Sequence, residues 1–220
     1  MATLDVRKVL VVDDHPIVRL GLKELIDKEA DLEVAAEAES AFEALGILER
    51  QYLDMAIVDL SLRGTSGIEL TRQIKAEHPR LPVLMVSLHD EGMYAERALA
   101  AGAQGYIMKR ESYEKLVEAI HHVLQGGTYL SETLRRQVDG LGDGGAGAPA
   151  KPISALTDRE MEVFRLIGEG YAPRHIAEKL FVSVKTVETH RQRIRTKLAL
   201  GNAAALRAFA VDWLASMKGS

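Results

Sequence analysis

Five short apolar runs punctuate the first half of the chain, at residues 8–12, 32–36, 55–59, 83–87 and 105–108. Apolar positions three and four apart fill the stretches between and after them, predicting amphipathic helices near 17–29, 41–50, 67–77, 93–101 and 113–125. Strands alternating with helices predict an α/β fold, a doubly wound five-stranded parallel sheet covered on both faces. Ser40 with Glu43 and Ser66 with Glu69 carry the spacing of a capping box, a structural signal for helix starts. From residue 153 onward the pattern is helical only. Thr157 with Glu160 opens one helix, and Ile176, Ala177, Leu180, Val184, Val187, Ile194 and Leu198 supply the apolar contacts of two helices packed across a turn at 181–183, with Ser183 as the second N-cap. This predicts a small all-α helix-turn-helix domain.

The chemistry gathers where the apolar runs end. The first run leads into Asp13 and Asp14, the third ends on Asp59, the fourth on Ser87, and the fifth runs into Lys109. In an open parallel sheet, ligands bind beyond the carboxyl ends of the strands, so these groups should converge. Three carboxylates, a hydroxyl and an ammonium make a pocket able to hold Mg²⁺ and receive a phosphoryl group. Singly, each has a plainer reading: Asp13 and Asp14 as helix caps, Asp59 as a turn residue, Lys109 as a solvated lysine. Only their joint placement outweighs it. His121 and His122, adjacent on a helix, point to different faces and read as surface residues rather than metal ligands.

Charge divides the chain in two. The net charge is −4 overall, but residues 1–150 hold 16 Lys and Arg against 25 Asp and Glu, whereas residues 151–220 hold 12 against 7. An acidic unit followed by a basic one points to a polyanion as the C-terminal partner. Residues 140–152, rich in Gly, Ala and Pro, lack the side chains to build a core and read as a flexible tether. A GxGxxG match within it (Gly140, Gly142, Gly145) follows no predicted strand and leads into no predicted helix, which argues against a dinucleotide site. With no long apolar segment, nothing resembling a signal peptide and no Cys, the expected location is the cytoplasm, without a membrane partner.

The phrases VLVVDDHPIVRLGL (9–22), DLSLRGTSGIEL (59–70), VLMVSLHD (83–90) and AGAQGYIMK (101–109) resemble the receiver domain of bacterial response regulators, whose fold is flavodoxin-like. Residues 156–198 resemble the LuxR-type helix-turn-helix, and together the segments are similar to the NarL/FixJ family. The resemblance implies a receiver over 1–128, a linker over 129–152 with a helical start, and a DNA-binding domain over 153–220. It implies Asp59 as phosphoacceptor, Mg²⁺ held by Asp13, Asp14, Asp59 and the Ser61 carbonyl, with Asp13 acting mainly through water, and Lys109 neutralising a phosphate oxygen. Ser87 would donate to the phosphate and the Tyr106 ring would swing inward, altering the face around the fourth helix and fifth strand. Partners follow: a sensor histidine kinase or phosphotransfer protein, promoter DNA with inverted half-sites, and a second copy as a homodimer on activation. Arg63 and Arg110 stand where many receivers have Pro, which bears on the lifetime of the phosphate.

On the second helix of the helix-turn-helix, Lys185, Glu188, Thr189 and Gln192 share the face opposite Val187 and Ile194, the set expected at major-groove base edges, with Thr186 beside it. Among Arg191, Arg193, Arg195 and Lys197 the spacing of two puts the residues on different faces, so only some can meet phosphate; Arg193 and Lys197 are the candidates. His190, at a family position, is expected to pack or bond backbone. Ala172 and Pro173 replace a polar N-cap on the preceding helix. A last helix from residue 202 carries Leu206, Phe209, Trp213 and Leu214, more apolar surface than a small domain needs, which makes Leu206 and Trp213 dimer candidates. The expected activity is phosphorylation-controlled transcription regulation rather than enzymatic turnover. A metal-dependent phosphohydrolase leaves the helix-turn-helix unexplained; a receiver that binds partners without being phosphorylated is the other alternative.

Overall fold

Val9, Leu10, Val11 and Val12 are entirely or almost entirely buried, as are all five residues of two neighbouring strands, and continuous burial of this kind marks a sheet covered on both faces. The strands are β1 (Arg7–Val12), β2 (Leu32–Ala38), β3 (Met55–Asp59), β4 (Val83–Ser87) and β5 (Gly105–Met108), all parallel, in the order β2-β1-β3-β4-β5. Helices α1 (Pro16–Ile26), α2 (Ala41–Leu48), α3 (Gly67–Glu77), α4 (Glu91–Ala100) and α5 (Tyr113–Leu124) alternate with them. The expected doubly wound α/β sheet is present. The strand order reverses between β1 and β3, so the crevice of this fold opens beside the residues that follow those two strands.

This computed structural model describes residues 6–89, 91–131 and 153–218, and the chain divides into two compact units, Met1–Asp143 and Gly144–Ser220. The tether expected at 140–152 and the helical start before it lie outside the described residues. The first residue of the expected linker packs against the sheet. Tyr129 forms a parallel bridge to Gly105, its amide donates to the Gln104 carbonyl at 2.8 Å, and its carbonyl accepts from Tyr106 N at 3.1 Å. Chain beyond α5 therefore extends the open edge of β5. Gly105 permits this approach: a Cβ there would stand 2.8 Å from Leu84 Cδ1 and 3.1 Å from the Tyr129 carbonyl oxygen.

Two of the expected capping boxes are half-formed. Ser40 and Ser66 accept from the amides of Glu43 and Glu69, but the Glu43 carboxylate accepts from Glu39 N and that of Glu69 pairs with Arg72. Only Thr157 and Glu160 complete the reciprocal pattern.

The second unit is all-helical: a 3₁₀ turn (Ile153–Ala155), then α6 (Asp158–Gly168), α7 (Pro173–Lys179), α8 (Val184–Lys197) and α9 (Ala203–Lys218). Its core contains Phe164, Ile176, Val187, Ile194, Leu206 and Ala210, each fully buried. Val184, expected inside, is 44% exposed, because as the first residue of α8 it precedes the turn of helix that reaches the core. Ser183 caps α8, its Oγ accepting from Thr186 N at 3.0 Å, and Phe181 makes the turn in the left-handed region (φ 52°). Helix α7 starts at Pro173 with no side-chain cap, as its sequence indicated.

Candidate functional site

At the carboxyl end of the sheet, Asp13, Asp14 and Asp59 lie with His15 in one cluster whose potential ligand atoms are all within 4.8 Å of one another. All three carboxylates are at least 95% buried. The loop after Asp59 turns tightly into α3, where Gly67 N donates to the Leu60 carbonyl at 2.7 Å; a Cβ on Gly67 would fall 2.0 Å from the Asp59 carbonyl oxygen, so only glycine fits. Lys109 follows β5 and reaches back across the crevice, its Nζ 2.5 Å from Asp13 Oδ2 and 3.0 Å from Asp59 Oδ1. Burial is the main influence on Asp59 and lifts its pKa to about 6; Lys109 opposes the rise, while the charges of Asp13 and Asp14 add to it.

The two leading acids are not equivalent. Both oxygens of Asp13 meet protein donors, His15 N at 2.8 Å and Lys109 Nζ. Asp14 Oδ2 receives Arg63 Nε at 3.3 Å, but the buried Oδ1 has no hydrogen bond. His15 Nδ1 stands 2.8 Å from that oxygen as an ion-pair neighbour without forming a hydrogen bond to it. A buried carboxylate oxygen without a donor, beside two more carboxylates, is the environment a hard divalent cation satisfies. His15 and the guanidinium of Arg63 stand at the rim. His15 is a member of the cluster that the strand-end pattern does not single out; its place immediately after the acid pair and before the helix-starting Pro16 is the signal the sequence carries for it.

Ser87 is fully buried at the end of β4, and its Oγ accepts from His89 N at 3.0 Å. The Tyr106 ring is already inward, 1% exposed, with its hydroxyl donating to the His89 carbonyl at 2.9 Å. The outward ring position from which a swing was expected is therefore not the one seen. Ser61 pairs with Ser66 in an isolated antiparallel bridge, and its Oγ lies 2.9 Å from His89 Nε2. His121 and His122 stay away from the cluster: His121 Nε2 meets Asp31 at 3.1 Å, and His122 packs edge-on to Tyr129.

In the second unit, Lys185, Glu188, Thr189, Gln192 and Arg193 are exposed on α8, while Thr186 is half-buried, its hydroxyl 2.8 Å from Ser183 Oγ. Of the four alternating cations, Arg191 pairs with Glu188 at 2.6 Å and Arg195 donates to the Gly201 carbonyl at 2.7 Å. Lys197, exposed at the end of α8, also has a structural partner. Its Nζ lies 2.6 Å from Glu160 Oε2, a carboxylate 2% exposed in the α6 capping box, and it also bonds the Ala155 carbonyl. It serves the fold of this unit because α8 ends beside the start of α6. The Arg193 side chain alone of the four makes no hydrogen bond or ion pair among the described residues. His190 is half-buried, and desolvation depresses its pKa.

The dimer candidates change as well. Leu206 is fully buried and cannot meet a second copy from this conformation; the Trp213 ring packs on Phe164 with centroids 5.6 Å apart. The outer face of α9 instead carries Ala204, Ala208, Val211 and Ala215, all exposed. Among the described residues, no helix is long and apolar enough to cross a membrane.

A sheet with an acidic cluster at its carboxyl edge, followed by a helix-turn-helix, defines a receiver joined to a DNA-binding unit. Residues 9–121 match the response regulator receiver domain, and residues 154–210 match the luxR family of bacterial regulatory proteins. The oxygen regulatory protein NreC of Staphylococcus epidermidis is 37% identical over 199 residues, covering 88% of this chain and 91% of that protein. RcsB from Salmonella enterica serovar Typhimurium, bound to promoter rprA in the presence of the phosphomimetic BeF3-, superposes with a TM-score of 0.63 at 26% identity, covering 94% of this chain and 98% of that one. ChrA, the response regulator of a heme-sensing two-component system, gives 0.51 at 30% identity over 96% and 98% of the two chains. The chain belongs to the NarL/FixJ family of two-component response regulators, a family of transcription factors.

Proposed function

We propose that Asp59 accepts a phosphoryl group from a sensor histidine kinase or phosphotransfer protein and thereby controls dimerisation and promoter binding. The observation that carries this reading is the cluster of Asp13, Asp14, Asp59 and Lys109 at the strand ends, with Asp14 Oδ1 buried and without a donor. Mg²⁺ fits this donor set: Asp14, Asp59 and the Ser61 carbonyl would hold it, with Asp13, saturated by protein donors, acting through water. When bound, it would offset the charge of three carboxylates facing an incoming phosphoryl group. An Asp59 oxygen is the nucleophile, Lys109 is placed to meet an equatorial phosphate oxygen, and Ser87 can donate its hydroxyl proton while still accepting from His89 N.

On the DNA side, Lys185, Glu188, Thr189 and Gln192 would face base edges and Arg193 a phosphate, with Thr186 supporting the cap. Two copies would meet through the outer face of α9, which suits inverted half-sites; RcsB dimers bound to DNA provide the precedent. The receiver would end after Ser131 rather than at 128, with a tether joining it to the DNA-binding unit in the cytoplasm. Acetyl phosphate treatment followed by intact mass tests the acceptor assignment. The wild-type chain should gain one labile phosphoryl group and Asp59→Asn none; a full gain on the variant refutes it, and sustained release of phosphate from small esters would favour the hydrolase.

A further inference from the structure

His89 is bonded to three parts of the receiver at once. Its ring reaches Ser61 Oγ at 2.9 Å, two residues beyond Asp59. Its amide donates to Ser87 Oγ at 3.0 Å, and its carbonyl accepts from the Tyr106 hydroxyl at 2.9 Å. Ser87 and Tyr106 are buried at the ends of their polar side chains, so neither can exchange its partner for bulk water without moving. Leu88, between Ser87 and His89, is 76% exposed, so its side chain makes no part of this network. The His89 ring packs at 5.5 Å on Tyr94, a fully buried side chain of α4.

We propose that His89 is the positioning residue of the switch: it ties the loop after the phosphoacceptor to Ser87 on one side and Tyr106 on the other. The inference rests on the reading of Asp59 as acceptor. A displacement of Ser61 or Ser87 pulls on the same residue whose carbonyl holds the Tyr106 hydroxyl, so an event at Asp59 is carried to β5 through one backbone segment. Ser87 alone reaches the strand end, and Tyr106 alone reaches the β5 edge. The His89 ring adds the third tether, and without it the segment follows Ser87 but no longer follows Ser61.

The test uses the full chain with Mg²⁺ and beryllofluoride as the phosphoryl mimic, reading backbone hydrogen exchange in peptides covering 83–89 and 105–108. In the wild type, beryllofluoride should slow exchange in both. In His89→Ala the change should persist at 83–89 and fall at least severalfold at 105–108. His89→Gln, whose side-chain amide can bond the Ser61 hydroxyl, should restore it. Ser61→Ala should reproduce the loss at 105–108, and the double variant should add nothing to either. An undiminished response at 105–108 in His89→Ala, or failure of Gln to rescue, overturns the positioning role while leaving the acceptor reading intact. A wild-type chain that shows no response to beryllofluoride overturns both.

Discussion

Lys109 Nζ stands 3.0 Å from Asp59 Oδ1 while remaining 2.5 Å from Asp13 Oδ2, so a single ammonium bridges the first and third strands of the sheet. The bridge is 90% buried at the lysine side chain, where water screens it little. Lys109→Ala should therefore leave three crowded carboxylates with no internal cation. Phosphoryl uptake should persist in part, because the nucleophile remains, while the response of the DNA-binding unit is lost. Intact mass alongside DNA titration, with and without acetyl phosphate, would show it; a fully retained response would remove Lys109 from the switch.

Asp59 itself carries a folding penalty. Its pKa rises from the usual 3.8 to about 6, chiefly through burial. A raised carboxylate pKa means that the folded state resists ionisation: the penalty is absent below the unfolded value and complete above the folded one. In chelator-containing buffer, Asp59→Asn should stabilise the receiver by about 1–3 kcal/mol at pH 7.5 and hardly at all at pH 4. Calorimetry at the two pH values would register the difference, and an advantage that grew towards acid would contradict the sign.

On α8, base reading and structure separate. Replacing Gln192 or Glu188 should change sequence preference by about 1–3 kcal/mol per bidentate contact, whereas Arg193→Ala should weaken all sequences alike and flatten the salt dependence. Lys197→Ala should instead destabilise the C-terminal unit by about 1–3 kcal/mol, since it strands the buried Glu160 carboxylate. Trp213, the only tryptophan and packed on Phe164, reports unfolding of this unit in urea. An unaltered transition for the Lys197 variant would refute the structural role.

Dimerisation gives the fourth test. Val211→Glu, on the exposed face of α9, should keep the domain folded and abolish cooperative binding to paired half-sites. Leu206→Glu should unfold it, because a carboxylate would enter the core. Sedimentation together with binding to single and paired sites distinguishes them; unchanged cooperativity in the Val211 variant would place the contact elsewhere.

The chain by itself determined the sheet and the candidate site. Apolar runs broken by helical periodicity leave few ways to bury both faces of a strand, and parallel strands must bring their carboxyl ends to one edge. Asp13, Asp59, Ser87 and Lys109 could thus be grouped from their places at the ends of those runs, although 96 residues separate Asp13 from Lys109. Side-chain partners were not legible in this way. Whether Lys197 faces DNA or Glu160, whether Leu206 lies inside or outside, and that the His89 ring finds Ser61 depend on how far each helix is rotated and where each loop returns. Those are set by packing between elements distant in sequence, and local pattern fixes a helix's apolar side far better than it fixes which neighbour an amphipathic residue at the edge of that side will meet. Tertiary packing decided them, and it also brought Tyr129 onto the vacant edge of β5, which could pair with chain that followed α5.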